Sequence, residues 1–357
     1  MTWAEIDWAA LERLRGLFLS GAAAQGAYWQ SAAELANYDL TYGERIGWKW
    51  DAVLNELEQR AWRPTGAVGL PVEPGRAPGR SGKPAVLDWG CGSGVAGRRV
   101  VRWLGQDGVA VLRLWDHSAL AADFAAHAAR SLFPDLAVEH LTPGFMAGDD
   151  PVGVLVISHV LNELPAGELL ALRSLASRAD AIIWVEPGTR EVSRALIELR
   201  EQLRDRFRVV APCTHQNACG LLAPESVRHW CHHFAPPPPG IFADSNWVKF
   251  GQRAGIDLRS LPYSFLALER RQTMEPDGPD AGFSRVIGEP RSYKGFAKVL
   301  SCEAGGVVER MAQKRDAPGL FKQFRRPEGP LVYRWTIAAG RIVGGEPLSR
   351  LTRSGRI

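Results

Sequence analysis

Val86-Leu87-Asp88-Trp89-Gly90-Cys91-Gly92-Ser93-Gly94-Val95 is the stretch that decides the fold. An apolar strand runs into a glycine-rich turn, and the turn runs into a predicted helix over 96–104. Glycine permits positive φ and close approach of a ligand, while a helix N-terminus offers free N–H groups, so the turn suits a nucleotide or a nucleoside-bearing cofactor. Two registers compete. Gly92-x-Gly94-x-x-Gly97 spells a dinucleotide fingerprint, but there the first glycine follows the strand almost directly. Here Gly90 does so, and its register ends on Val95, so Asp88-x-Gly90-x-Gly92-x-Gly94 fits better.

Working outward, short apolar runs at 85–87, 110–115, 152–158 and 181–185 alternate with helical stretches, which predicts a parallel sheet with helices on both faces, an α/β fold. Ahead of it, residues 1–62 read as helical, with Leu11, Leu14, Leu17 and Phe18 and then Trp48, Val53, Leu54 and Leu57 at helical spacing. Residues 63–84, rich in Pro and Gly, read as a linker. The core spans 85–208. A cysteine-bearing segment, 209–302, is expected to complete the sheet, with strand-like runs at 263–268 and 297–300, and 303–357 reads as a basic C-terminal extension.

The glycine loop resembles the first motif of the seven-stranded S-adenosylmethionine-dependent methyltransferases, with a Rossmann-like core. The resemblance implies that Asp88 lies near the methionine part of the cofactor and that Gly90, Gly92 and Gly94 form the floor beneath it. It also implies that Asp116, ending the next strand, accepts hydrogen bonds from the ribose hydroxyls. After the fourth strand, Ser158-His159-Val160-Leu161-Asn162-Glu163 carries no Asn-Pro-Pro-Tyr type motif. His159 and Glu163 are candidate bases and Glu186 is a third, each equally readable as a polar helix cap or strand-end residue, so no catalytic residue is assigned.

Five cysteines are present. Without Cys91, which sits in the loop, Cys213, Cys219, Cys231 and Cys302 make the count of a tetrathiolate site. Thiolates suit zinc or iron-sulfur clusters, and His215, His229, His232 and His233 lie close enough in sequence to complete a zinc site. Spacing alone leaves iron-sulfur and zinc both open.

The combination of Ala211-Pro212-Cys213-x-His215, Cys219, Trp230-Cys231-His232-His233-Phe234 and Lys294-Gly295 ahead of Cys302 resembles the methyltransferase-like assembly factors of the mitochondrial small ribosomal subunit and their bacterial relatives. The aromatic helical stretch from Tyr42 to Trp50, the glycine loop and Val185-Glu186-Pro187-Gly188 extend the likeness over most of the chain. The resemblance implies a [4Fe-4S] cluster on Cys213, Cys219, Cys231 and Cys302, and contact with small-subunit ribosomal RNA. Thr214 stands where relatives often have Pro, a difference that touches only local loop shape.

Charge points the same way. The 357 residues carry a net charge of +4, yet residues 285–357 hold 15 Lys+Arg against 6 Asp+Glu, so the rest is slightly acidic. A basic end suits a polyanionic partner such as nucleic acid. Lys294, Lys298, Arg310, Lys314, Arg315, Lys322, Arg325, Arg326 and Arg334 are the expected phosphate contacts. Tyr293, Phe296, Phe321, Phe324 and Tyr333 are available either to stack on bases or to fill a core. No apolar run approaches the roughly 20 residues of a membrane span. The N-terminus, with Glu5, Asp7 and Glu12, fits neither a signal nor a transit peptide, so a cytoplasmic protein is expected. The expectation is thus an S-adenosylmethionine- and cluster-binding assembly factor. An active RNA methyltransferase, or a zinc methyltransferase without an RNA partner, is the alternative.

Overall fold

The computed structural model describes residues 1–21, 26, 28–64, 82–271, 280–327 and 329–348, so residues 65–81 of the stretch read as a linker lie outside the described residues. Along the chain the elements run α1 (Trp8–Ser20), α2 (Ala32–Tyr38), α3 (Glu44–Gln59), β1 (Ala85–Trp89), α4 (Val95–Leu104), β2 (Val111–Trp115), α5 (Ala119–Leu132), β3 (Val138–His140), α6 (Pro143–Ala147), β4 (Gly153–Ser158), α7 (Ala166–Ala176) and β5 (Ala179–Pro187). Next come α8 (Arg190–Leu203), β6 (Phe207–Ala211), β7 (His233–Phe234), α9 (Ser245–Ala254) and β8 (Pro262–Arg270). The last are β9 (Ser284–Ser292), β10 (Phe296–Glu303), β11 (Gly306–Gln313), α10 (Pro318–Arg325), β12 (Val332–Ala338) and β13 (Arg341–Pro347).

Two compact units result. One comprises Met1–Asp51, Arg63–Val185 and Pro237–Ser260; the other comprises Ala52–Trp62, Glu186–Pro236 and Leu261–Ile357. The helical N-terminal stretch therefore divides within α3 instead of forming a region of its own.

In the first unit β3, β2, β1, β4 and β5 lie side by side in that order, every pair parallel. This is the Rossmann-like order, with the reversal at β1 and β4 where such sheets bind ligands. β1 and β4 are buried almost end to end, as strands covered on both faces must be, which is why Val86-Leu87 and Val154-Leu155-Val156-Ile157 read as unbroken apolar runs. Helix starts follow side-chain caps: Asp7 accepts from Ala10 N, Ser31 from Glu34 N and Ser118 from Ala121 N. Leu14, Trp29 and Leu35 pack on Ala121 of α5, whose alanine-rich inner face lets the N-terminal helices approach closely.

In the second unit β8 pairs antiparallel with β6 and with β7. The remaining five strands close into a barrel, β10-β11-β13-β12-β9, in which β11 and β13 are the parallel pair and α10 bridges β11 to β12. Counted from its own first strand, the barrel closes 1-2-3-5-4 with a helix after the third, which is the topology of an OB barrel. Val286, Ala297, Val299, Ala312, Phe321, Phe324, Tyr333 and Ile342 fill it. The barrel runs straight across the boundary read between 302 and 303 in the sequence. The basic tail is, over its described length, part of a packed domain, supplying both core residues and the charged outer surface. Among the described residues no helix is long and apolar enough to cross a membrane.

Candidate functional site

In the first unit, Gly90, Gly92 and Gly94 take φ of +68°, +51° and +79°, the left-handed region open to glycine. Gly90 N and Cys91 N both donate to Trp115 O, folding the loop over the end of β2. A Cβ on Gly94 would stand 2.7 Å from Ala125 Cβ, so the loop also depends on the close seat of α5. Gly94 gives α4 no side-chain cap, leaving that helix N-terminus to a ligand. Asp88 lies beneath the loop, fully buried, accepting from Gly97 N at 2.8 Å, while its Oδ1 is buried without a partner. Burial pushes its pKa up to about 7.

Asp116 stands at the end of β2, where the family resemblance expects the ribose acceptor. Its Oδ2 accepts from Gly92 N and its Oδ1 from Ser118 N, each at 2.9 Å. The carboxylate is thus fixed by two backbone donors and each oxygen keeps a further lone pair for a hydroxyl.

Beyond β4, His159 takes φ +56°. Its Nε2 lies 3.2 Å from Lys49 Nζ and its Nδ1 3.3 Å from Ser158 Oγ, which itself accepts from Trp50 Nε1. Burial, Lys49 and Arg45 hold the imidazole neutral. Its base nitrogen therefore faces an ammonium, an arrangement that fixes the ring and leaves it poorly placed to take a proton. Glu163 differs: burial raises its pKa to about 7, and Tyr28 donates to it at 3.2 Å. Of the three candidate bases, only Glu163 is poised near neutrality beside the loop. Glu186 is fully buried and belongs to the second unit. Lys49 and Tyr28 come from the N-terminal helical region and carry no motif, so sequence reading missed both.

In the second unit, Cys213, Cys219, Cys231 and Cys302 all line one cavity of about 40 Å³, where about 10–15 Å³ admits one water. Cys213 follows β6, Cys219 precedes a short 3-10 turn (Gly220–Leu222), Cys231 precedes β7 and Cys302 stands on β10. Gly220 lets that turn close on the β10–β11 hairpin, since a Cβ there would meet Gly306 Cα at 2.8 Å. Leu196, Ile197, Leu221, Phe265 and Ile287 supply an apolar wall. Burial, and then the neighbouring cysteines, push the Cys219 thiol up to about 11 and Cys231 and Cys302 up as well. His215 Nε2 lies 3.7 Å from Cys302 Sγ, and His233 Nε2 lies 3.7 Å from Cys231 Sγ. Neither histidine enters the lining, nor do His229 and His232.

Two arginines with no motif to announce them, Arg200 and Arg285, line the same cavity, and the Nε–H of each is buried without an acceptor. Arg285 also pairs with Glu56 of α3, which pairs with Arg60 at 2.7 Å. Arg60 reaches Asp280 Oδ2 at 2.6 Å and the carbonyls of Val210, Pro212 and Cys213. This buried network holds the start of the cysteine segment. An apolar, thiol-lined cavity with unmet cationic donors fits an anionic group bound through sulfur. Among the described residues no three His, Cys, Asp or Glu side chains are grouped to hold a single ion.

Of the rings read as stacking or core residues, Phe321, Phe324 and Tyr333 take the core role, because α10 lays its apolar face across the barrel. The cations differ from the expectation in part. Lys298 pairs with Glu309, Arg310 with Glu303, Arg315 with Asp316 and Arg334 with Glu346, so these four cations are partly answered within the barrel. Lys294, Lys314, Lys322, Arg325 and Arg326 have no carboxylate partner among the described residues. Tyr293 is 47% exposed.

The family described as mitochondrial small ribosomal subunit Rsm22 matches residues 130–329, from α5 into the barrel. The chain belongs to this family. The matched span contains all four cavity cysteines and Arg200 and Arg285, and begins after the glycine loop. No curated protein matches the chain. Among solved structures, the chain is similar to magnesium protoporphyrin IX methyltransferase (ChlM) from Synechocystis PCC 6803 with bound SAH, at 14% identity and a TM-score of 0.38, covering 73% of this chain and 100% of that one. It is also similar to the 16S rRNA methylase RmtB, at 11% identity, TM-score 0.36, and 74% and 76% coverage. TrmK of M. capricolum in complex with SAH gives 10%, 0.30, and 53% and 62%.

Proposed function

We propose that this Rsm22-family chain is an assembly factor of the small ribosomal subunit. In this reading its second unit carries a [4Fe-4S] cluster on Cys213, Cys219, Cys231 and Cys302 and binds ribosomal RNA. The convergence of all four cysteines on one cavity carries the proposal, because residues as far apart as Cys213 and Cys302, 89 positions, meet there with two arginines able to offset a cluster's negative charge. The cluster supplies a covalent cross-link among three loop segments and β10. The chain's own part is to seat it: the Glu56–Arg60–Asp280 network fixes the carbonyls around Cys213, and the β10–β11 hairpin presents Cys302. In the first unit, Asp116 and the uncapped start of α4 support S-adenosylmethionine binding at the glycine loop.

Ultraviolet cross-linking of the tagged full-length chain in cells, followed by sequencing of the attached RNA, tests the assignment. Cross-links concentrated in small-subunit ribosomal RNA are expected; their even spread over cellular RNA would overturn it.

A second reading, methyl transfer to that RNA, is favoured by Glu163, raised to about 7 next to the loop. Labelled S-adenosylmethionine incubated with immature small subunits separates the two readings. Transfer that Asp88→Ala abolishes supports the enzyme, whereas cofactor binding without transfer supports the assembly factor alone.

A further inference from the structure

At one end of the barrel, where the β9–β10 turn meets the end of β11 and the start of α10, lies an open pocket of about 660 Å³. It lies outside the cysteine cavity and the glycine loop. Phe296 lines it, and Tyr293 stacks on Phe296 with ring centroids 4.5 Å apart and planes 15° from parallel. The turn is held firmly: Tyr293 N donates to Phe296 O at 2.8 Å, and Lys314 N donates to Gly295 O at 2.9 Å. Lys314 and Arg315 line the pocket, and the turn itself carries Lys294. Lys294 and Lys314 lack a carboxylate partner among the described residues, whereas Arg315 leans toward Asp316 at 3.4 Å. Helix α10 starts on Pro318 with Ala317 as its cap, so no side chain satisfies its first N–H groups.

These features ask for one kind of ligand. An exposed aromatic stack is extended by a flat ring, and unanswered cations around it are met by spaced negative charges. A duplex presents phosphates but hides its base faces within the stack, leaving no ring to extend the Tyr293–Phe296 pair. An unpaired nucleotide in a strand offers both. We propose that this pocket binds unpaired nucleotides of single-stranded RNA, a base continuing the Tyr293–Phe296 stack and the flanking phosphates held by Lys294, Lys314 and Arg315. The proposal rests on the reading of the chain as an RNA-binding protein and names where, and in which state, the RNA is held.

Fluorescence anisotropy of the full-length chain tests it, with a labelled unstructured RNA of mixed sequence and an RNA duplex of the same length. The single strand is expected to bind more tightly than the duplex. Tyr293→Ala is expected to weaken single-strand binding by roughly 5- to 100-fold, with Tyr293→Phe retaining it. Lys314→Gln should lower the slope of log affinity against log salt by about 0.7. Tyr293 on the β9–β10 turn and Lys314 just past the end of β11 are both exposed, and unchanged thermal midpoints verify folding. Wild-type affinity in Tyr293→Ala and Lys314→Gln, or preference for duplex, overturns the pocket while leaving the small-subunit reading intact. Pocket-dependent binding by a chain that cross-links to no small-subunit RNA supports the pocket and overturns that reading instead.

Discussion

Gly94 shows what a single position contributes to the glycine loop. Its φ of +79° costs an L-residue about 1–2 kcal/mol, and an added methyl would press on Ala125. Gly94→Ala is therefore expected to lose about 2 kcal/mol of folding stability, measured by urea unfolding, and to abolish S-adenosylmethionine binding in calorimetry. Beside it, the buried carboxyls of Asp88 and Glu163 are each raised to about 7 in the folded chain, above an ordinary carboxyl. The folded state thus holds protons that the unfolded chain releases. Their contribution to stability is fully present below the ordinary carboxyl range and is lost as pH rises through about 7. Urea midpoints of the ligand-free chain should fall between about pH 5 and about pH 8, and Asp88→Asn should flatten part of that slope; a midpoint that rises steadily over the interval contradicts the burial argument.

At the scale of elements, α3 and β9 meet through Glu56 and Arg285, both buried, with Arg60 and Asp280 completing the network. Burial alone would raise Glu56, but Arg285 and Arg60 more than offset it and hold the carboxylate below its usual range. Its stabilising effect is present above the ordinary carboxyl range and disappears only as pH falls through that lowered value. Glu56→Gln, which leaves the buried Arg285 guanidinium without its carboxylate while Arg60 keeps Asp280, is expected to cost about 3–5 kcal/mol in chemical denaturation. It should also reduce iron incorporation, since Arg60 holds the carbonyls of Pro212 and Cys213. The α/β elements were legible in sequence because strands buried on both faces leave unbroken apolar runs, and the glycine loop because its spacing is chemical. The network was not: a salt bridge between residues 56 and 285 has no periodicity. The barrel was equally hidden. β11 buries few of its residues, β9 contains Gly288 and Pro290, and β13 contains Gly344 and Gly345, so alternation is faint under the strong charge signal.

For the whole molecule, the arithmetic of cysteines and charge located chemistry that the fold then distributed. The count of four thiols beyond Cys91 pointed to a shared site, and all four line one cavity. The local excess of positive charge was real, but on a closed barrel four of the expected phosphate contacts already face carboxylates. What remains for a polyanion is a smaller set centred on Lys294, Lys314, Lys322, Arg325 and Arg326. On the proposed reading, a cluster on these cysteines would tie the cysteine segment to the same barrel, so Cys302→Ser is expected to lose the metal centre and to weaken RNA cross-linking together; full RNA binding by the cluster-free protein would separate the two. The cluster assignment is tested by the metal content of the full-length chain purified without oxygen. Broad visible absorption is expected, with iron and acid-labile sulfide in equal amounts, about four of each per chain, lost in Cys302→Ser. A colourless protein holding about one zinc per chain and no sulfide would contradict it.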